Sequence, residues 1–332
     1  MKNQILLILK SNTGFVSGED LSRRLGVSRT AVWKAVKALQ QAGYPIEAVT
    51  RRGYRLAGNA DVLSQEEIEN SLAERDLSKW IKQVHYVPVT DSTNQMAREA
   101  AGAGALDGSL FVAGCQTRGR GRLGRRWLSS DTQGLWFSLL LRPSAEPAAL
   151  APITLFAGLC AAQALQQTLG LNIGLKWPND LVAAGSGRKV CGILTEMMIE
   201  ENLVHSVIIG IGLNVRTAEF PEEIRDSATS LFMESGRLFS RLEVLAAILE
   251  ILAARYPEYR NTDSWLGDYR RLCLTLGQDV VIHDSAGSSW TGRAEDLNAA
   301  GELVVIDRDG CRRVVRSGEV SLRKPGQPQL IV

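Results

Sequence analysis

Four short stretches carry residue types that could do chemistry. Gln116-Thr-Arg-Gly-Arg-Gly-Arg-Leu-Gly-Arg-Arg-Trp127 sets five arginines among three glycines. Gly119-x-Gly121-x-x-Gly124 formally matches a dinucleotide fingerprint, but that fingerprint needs a helix opening at the glycines. Arg-Arg-Trp-Leu-Ser-Ser-Asp follows instead, so we reject it. A glycine-rich loop lets backbone approach a ligand, and guanidinium groups fork onto phosphate oxygens. A polyphosphate site is favoured over a solvated basic loop or a second DNA contact. Lys176-Trp-Pro-Asn-Asp180 offers a cation and two oxygen ligands of the kind magnesium takes beside phosphate; a strand end followed by a Pro-Asn turn explains it as well. Gly187-Arg-Lys-Val-Cys-Gly-Ile-Leu-Thr-Glu196 puts Lys189 at the head of an apolar strand. Ile209-Gly-Ile-Gly-Leu-Asn214 has strand glycines, which mark close approach of a ligand, a bulge or a tight sheet crossing.

The missing chemistry narrows the field. The three histidines, His85, His205 and His283, lack metal-ligand spacing, and there is no Walker loop and no Gly-x-Ser-x-Gly. Cys115 and Cys191 flank the candidate loops but suit packing. Such a site works by positioning and charge stabilisation rather than through a protein nucleophile.

The elements that must hold these residues alternate between strand and helix. We expect a polar helix over Gln65–Leu77 and a strand over Gln83–Val89. Asp91-Ser-Thr-Asn94 then caps a helix to Ala101. Strands follow at Ser109–Gln116, Gly134–Arg142, Leu171–Lys176, Lys189–Met198 and Leu203–Ile211, with an amphipathic helix over Leu242–Arg255. Pro147 to Leu175 carries no charge and is long enough to cross a bilayer. Its glutamines, glycines and small alanines favour a buried amphipathic helix over roughly Ile153–Leu169 instead. From Leu274 the pattern turns all-β: Gln278–His283, Ser288–Glu295, Glu302–Asp307, Arg312–Val315 and Val320–Arg323, with turns at Asp284–Gly287 and Asp309-Gly310. That suggests a small barrel.

Residues 1–60 form a different unit. Gln4–Lys10 is a short helix. Ser17 opens another through Leu25, Gly26-Val27 makes a turn, and Ser28 caps Arg29–Gln41, with Val32, Val36 and Leu39 on one face and Gly43 ending it. Glu47–Leu56 alternates as a hairpin around Arg51-Arg52-Gly53. The result is a winged helix-turn-helix. Its second helix would present Arg29, Thr30, Trp33, Lys34 and Lys37 to the major groove, and the hairpin would lay Arg51, Arg52 and Arg55 on phosphate. A protein-binding module is the alternative.

The 332-residue length suggests two or three domains at about 150 residues each. At 45% hydrophobic and 22% charged residues, the composition excludes disordered and disulfide-scaffold classes. Net charge is +2, but residues 1–60 carry +7 and the remainder −5, which marks a nucleic-acid-binding head on a mildly acidic body. Five scattered cysteines and no signal-like start fit a reducing cytoplasm.

Taken in order, Asp91-Ser-Thr-Asn94, Gln116–Trp127, Lys176–Asp180, Arg188–Glu196 and Gly210-Ile-Gly-Leu-Asn214 resemble the biotin–protein ligases. The N-terminal winged helix makes the chain similar to the bifunctional kind that also represses the biotin operon. The resemblance runs to about Lys324. It implies an α+β protein: a winged helix-turn-helix (1–60), a mixed-sheet α/β catalytic domain of the biotin/lipoate ligase type (65–270) and a small SH3-like β-barrel (272–324). It implies activation of biotin by MgATP to biotinyl-5′-AMP, then transfer to a lysine of the biotin carboxyl carrier protein of acetyl-CoA carboxylase. By that resemblance Ser92, Thr93, Asn94, Gln116, Arg120, Gly121 and Arg122 hold biotin, and Lys189 meets its carboxylate and the joining phosphate. Arg120, Arg122 and Lys176 face phosphates. Asn179 and Asp180 face magnesium or orient the reacting groups, with Asp180 the candidate for orienting the carrier amine. Asn214 lies by the nucleotide. The polar segment Ala218–Ser230 should bear on the adenine, with Phe220 or Phe232 in reach. Homodimerisation with adenylate bound and operator DNA are the further partners, with no membrane. The rival readings are a ligand-sensing transcription factor without ligase activity and a lipoyl or octanoyl transferase with an added head. The tail Pro325–Val332 matches nothing interpretable.

Overall fold

A computed structural model describes residues 1–58, 61–283, 288–316 and 319–321. Residues 59 and 60, the turn at Asp284–Gly287, the end of the last strand and the tail from Pro325 lie outside the described residues. The chain divides into two compact units, residues 1–67 and 68–332.

The first unit opens with α1 (Lys2–Lys10), α2 (Gly18–Leu25) and α3 (Arg29–Gln41). Ser17 and Ser28 cap the second and third helices, their hydroxyls accepting the Asp20 and Ala31 amides at 3.0 and 3.2 Å. Gly26 ends α2 in the left-handed conformation, at φ +64°. β1 (Ile46–Val49) and β2 (Gly53–Leu56) form the antiparallel hairpin. Ile5, Leu9, Leu21, Val32, Val36 and Leu39 form one buried cluster under these elements. The helix-turn-helix and wing stand as the sequence predicts.

α4 (Gln65–Glu74) is shorter than the expected Gln65–Leu77, because a left-handed Asp76 breaks it. Then come β3 (Gln83–Thr90), α5 (Thr93–Gly102), β4 (Ser109–Gln116), β5 (Leu135–Leu141), α6 (Pro147–Leu150), α7 (Ile153–Leu169), β6 (Ile173–Lys176), β7 (Asp180–Ala183), β8 (Lys189–Glu200) and β9 (Leu203–Leu213). The seven strands lie in the order β3-β4-β5-β9-β8-β7-β6. Only β3 and β4 are parallel, and α5 supplies the crossover that a parallel pair requires. The four-residue β7 was not foreseen: so short a run after a Pro-Asn turn carries no alternation to betray it. After β9 come α8 (Leu231–Ser235), α9 (Arg241–Arg255) and α10 (Leu266–Leu272).

The two faces of this sheet differ. Leu135, Phe137, Leu139 and Leu141 of β5 alternate with Trp136, Ser138 and Leu140, and all seven are buried. Helix α7 is apolar nearly all round rather than amphipathic, and Gly158 packs against Ile193 and Leu181. The segment Pro147–Leu169 is long and apolar enough to cross a membrane, but 72% of its apolar 18-residue stretch is buried inside the protein, as befits a core helix. α5 packs on the opposite face through Ala97 and Ala101 against Phe111, Leu140 and Ile208.

The remaining strands, β10 (Asp279–His283), β11 (Ser289–Leu297), β12 (Leu303–Asp307), β13 (Arg312–Val315) and β14 (Glu319–Ser321), pair antiparallel in the order β13-β12-β11-β10-β14. Trp177 anchors this sheet. Its indole donates to the Gly301 carbonyl at 2.9 Å, and its amide donates to the Thr275 hydroxyl at 3.0 Å.

Candidate functional site

The expected residues converge on the α5 face, over the glycine-rich ends of β8 and β9. Gly212 lies between Trp136 and Gly192 in the sheet, and Gly210 between Ser138 and Leu194. These glycines make neither bulges nor a gap. A methyl at Gly212 would lie 2.5 Å from the Trp127 indole nitrogen, and one at Gly210 would lie 1.9 Å from the Asn94 carbonyl oxygen. They are glycines because Trp127 and Asn94 lie flat on the strands there.

One end of the floor is a buried polar chain. Gln116, at the end of β4, accepts the Thr93 amide on Oε1 at 2.8 Å and donates from Nε2 to Ser129 Oγ at 3.0 Å. Ser138 Oγ lies 2.7 Å from both Thr93 Oγ1 and Asn94 Oδ1. Asn94 donates to the Leu194 carbonyl at 3.2 Å and to Glu196 at 3.1 Å, and Glu196 pairs with Arg98. Ser92, Thr93, Asn94 and Gln116 are all buried. The expected cap of α5 by Asp91 and Ser92 is not what forms. Gln116 takes the helix's unpaired Thr93 amide, and Asp91 turns to Thr117 Oγ1 at 2.8 Å and to Arg118. The hydrogen bonds from Arg118 and Thr117 hold the Asp91 carboxyl below its ordinary range.

Cations occupy the other end. Lys189 Nζ lies 2.7 Å from Asp180 Oδ1 and 5.0 Å from the centre of the Trp127 ring. Asp180 opens β7, opposite Gly192. The arginine stretch folds back on itself: the Trp127 amide donates to Gly119 O at 2.9 Å and the Gly121 amide to Arg125 O at 2.7 Å. An open cleft of about 360 Å³ runs along it, lined by Arg118, Arg120, Arg125 and Arg126 with Gly119 and Gly124. Arg122 crosses to Asn179, Nη1 to Oδ1 at 3.3 Å, while Asn179 donates to the Ile193 carbonyl at 3.1 Å. Arg122 therefore links the loop to the β6–β7 turn. Lys176 faces Asp180 across the hairpin.

The Asp180 carboxylate is committed to Lys189, and among the described residues no group of three or more His, Cys, Asp or Glu could hold a metal. Asn214 is buried and works in the scaffold, donating to the Thr229 carbonyl at 2.9 Å and accepting the Leu231 amide at 3.0 Å. Phe220 and Phe232 are each half-buried. Cys191 is fully buried, where burial pushes its thiol up, while Cys115 is half-exposed.

The sequence left Ser129, Ser138, Trp127 and Glu196 without roles. Ser138 had a signal: a lone serine inside the apolar run Leu135–Leu141.

In the first unit Arg29, Thr30, Trp33, Lys34 and Lys37 are exposed along α3, with Trp33 51% exposed. Arg51 and Arg52 are exposed at the hairpin turn, and Arg51 takes φ +65°. Arg55 pairs with Glu47 at 2.6 Å, and the Arg52 and Arg55 guanidinium groups lie 4.4 and 4.8 Å from the centre of the Phe15 ring.

Three family profiles match in chain order: an HTH domain at residues 2–55, the Biotin/lipoate A/B protein ligase family at 86–214, and the biotin protein ligase C-terminal domain at 275–323. The bifunctional ligase/repressor BirA of Bacillus spizizenii is 41% identical over 94% of this chain and 96% of its own. The biotin–[acetyl-CoA-carboxylase] ligase of Mycobacterium tuberculosis is 35% identical over 73% of this chain and 90% of its own. Among solved structures, the Aquifex aeolicus biotin protein ligase in complex with biotin and ATP superposes with a TM-score of 0.63 at 33% identity, covering 74% of this chain and all of that one. With the order of motifs, the polar floor and the flanking domains in agreement, the chain belongs to the biotin protein ligases, in the bifunctional form that carries an N-terminal helix-turn-helix.

Proposed function

We propose that this protein activates biotin with MgATP to biotinyl-5′-AMP, transfers the biotinyl group to a lysine of the biotin carboxyl carrier protein of acetyl-CoA carboxylase, and represses biotin biosynthesis genes as an adenylate-dependent DNA-binding homodimer in the cytoplasm. Residues 1–60 serve DNA, 65–270 catalysis, and 272–324 the small β domain. One observation carries the reading. Lys189, Arg122 and the arginine-lined cleft stand at one end of a buried chain of amide and hydroxyl groups, so a ligand with a polar ring and a carboxylate spans from one to the other.

The chemistry follows from those groups. A biotin carboxylate oxygen attacks the α-phosphorus, an O–P bond forms, and pyrophosphate leaves. Negative charge grows on the equatorial oxygens, and fixed cations there are worth most where water is excluded. Lys189 is placed to meet both the carboxylate and that phosphorus. Arg120 and Arg122 face the phosphates with Lys176; Asp180 and Asn179 would hold magnesium, which would supply further positive charge at the phosphates. The product is a mixed anhydride that water destroys. A glycine-rich loop that orders over it keeps water out. In the second step a carrier amine attacks the acyl carbon, AMP leaves with the bonding pair, and the amine sheds a proton. Asp180, beside Lys189, orients that amine.

Thr93, Asn94, Gln116 and Ser92 suit a ureido ring, which has two N–H donors and one carbonyl acceptor. Purified protein is incubated with ATP and biotin, lipoate or octanoate, and pyrophosphate release is measured. Release with biotin alone is expected. No release with any acid leaves the ligand-sensing transcription factor as the reading, and release with lipoate or octanoate points to the acyl-transferase reading.

A further inference from the structure

One carboxylate near the site has no part in the mechanism above. Glu234 sits in α8 with its side chain 19% exposed. Its Oε1 accepts from Thr229 Oγ1 at 2.7 Å, from the Arg188 guanidinium at 2.8 Å and from Ser186 Oγ at 3.0 Å. Burial alone would raise its pKa; Thr229, Ser186 and Arg188 outweigh burial and hold the carboxyl below its ordinary range, so it stays charged.

The donors come from two stretches that bracket Lys189. Ser186 and Arg188 belong to the turn that leads into β8. Thr229 belongs to the segment running beside Lys189: the Lys189 amide donates to Ser227 O at 2.7 Å, and the Thr229 amide donates to Lys189 O at 2.8 Å. The backbone of Lys189 is thus gripped from one side by residues 227–229. Glu234 ties that grip to the chain entering Lys189, and Asn214 holds it from below through the Thr229 carbonyl.

We propose that Glu234 is a positioning residue for adenylation, fixing the backbone at the start of β8 so that the Lys189 ammonium is held over the reacting carboxylate and phosphorus. The proposal rests on the ligase reading above. Glu234 touches no reacting atom and acts through Lys189. A charged acceptor is needed because one oxygen serves three donors, one of them a guanidinium, and a neutral amide makes weaker bonds to such a donor.

The test uses the full chain and biotin-dependent pyrophosphate release, with kcat and KM for biotin and ATP, on the wild type, E234Q, E234A, E234D, K189A and the K189A/E234A double variant, each checked for folding by its melting curve. A misplacement of about 1 Å costs on the order of 10²-fold in rate. E234A should therefore lose about 10-fold to 100-fold in kcat, with KM for ATP little changed, and E234D should recover part of the loss. In the K189A background E234A should cost nothing further, because the group it positions is gone. E234Q keeps the side-chain shape, so it reads the charge even if E234A unfolds. Wild-type kcat in folded E234Q and E234A overturns the proposal, as does an equal loss from E234A with and without Lys189. A wild type inactive with biotin overturns the ligase reading as well; an active wild type beside unaffected variants overturns only the role of Glu234.

Discussion

The site is built so that its cations are held by partners and its polar floor is held by itself. Lys189 is paired with Asp180 at 2.7 Å, lies over the Trp127 ring and is only 29% exposed. An ammonium placed in this way is poised where charge develops, and removing one such group typically costs about 10²–10³ in kcat. Lys189→Ala should lower biotin-dependent pyrophosphate release by about that factor, with a modest fall in melting temperature because the Asp180 carboxylate is left unpaired. A large fall in melting temperature with equal loss of all activities would show a structural role instead. The floor explains why glycine occupies 210 and 212: the strands must receive Asn94 and Trp127 without a side chain between.

At the scale of elements, the loop Gln116–Trp127 works because it is anchored at both ends and reaches the neighbouring turn in its middle. Its ends pair through Gly119 and Trp127, and Arg122 spans 3.3 Å to Asn179 in the β6–β7 turn. Arg122→Gly removes that latch. The variant should release biotinyl-adenylate into solution, where it acylates lysines of bystander proteins. Labelling of added serum albumin measures the leak, and labelling no greater than the wild type's would show that the loop does not retain the intermediate. Much of this scale was legible beforehand. The serine caps of α2 and α3, the run of Ser109–Gln116 and the bounds Ile153–Leu169 follow from local signals of the kind a chain writes in its own residues. What stayed hidden was tertiary. Ser138, Glu196 and Ser129 gain meaning from partners between 13 and 102 residues away, beyond the reach of any local pattern. α8 and α10, of five and seven residues, are too short for periodicity to show. The meeting of Arg55 with Glu47 and Phe15 likewise shows only once the hairpin is folded.

At the scale of the whole molecule, two compact units carry two activities. Trp33 and Arg29 are exposed on α3, outside the buried cluster of the first unit, so Trp33→Ala and Arg29→Ala should abolish operator binding in a gel-shift assay while biotin ligation persists. Phosphate contacts alone lower affinity for all sequences, so loss of discrimination would identify the base-reading member of the pair. Loss of ligation in either variant would mean the two activities are coupled more tightly than separate units allow. A ligand can shift assembly only through its differential affinity for the two states. Adding biotin and MgATP should therefore tighten dimerisation in analytical ultracentrifugation, and an unchanged sedimentation profile would contradict repression by this route.

In the proposed ligase, guanidinium and ammonium groups from three separated stretches, Arg120 and Arg122, Lys176, and Lys189, gather around one biotin–nucleotide anhydride. A crystal structure of the protein with biotinyl-5′-AMP tests it most directly. The account predicts Lys189 and at least one loop arginine within hydrogen-bonding distance of the anhydride's phosphate oxygens, with the ureido ring against Thr93 and Gln116. An adenylate bound elsewhere, with Lys189 still paired only to Asp180 and the arginines turned to solvent, would contradict it.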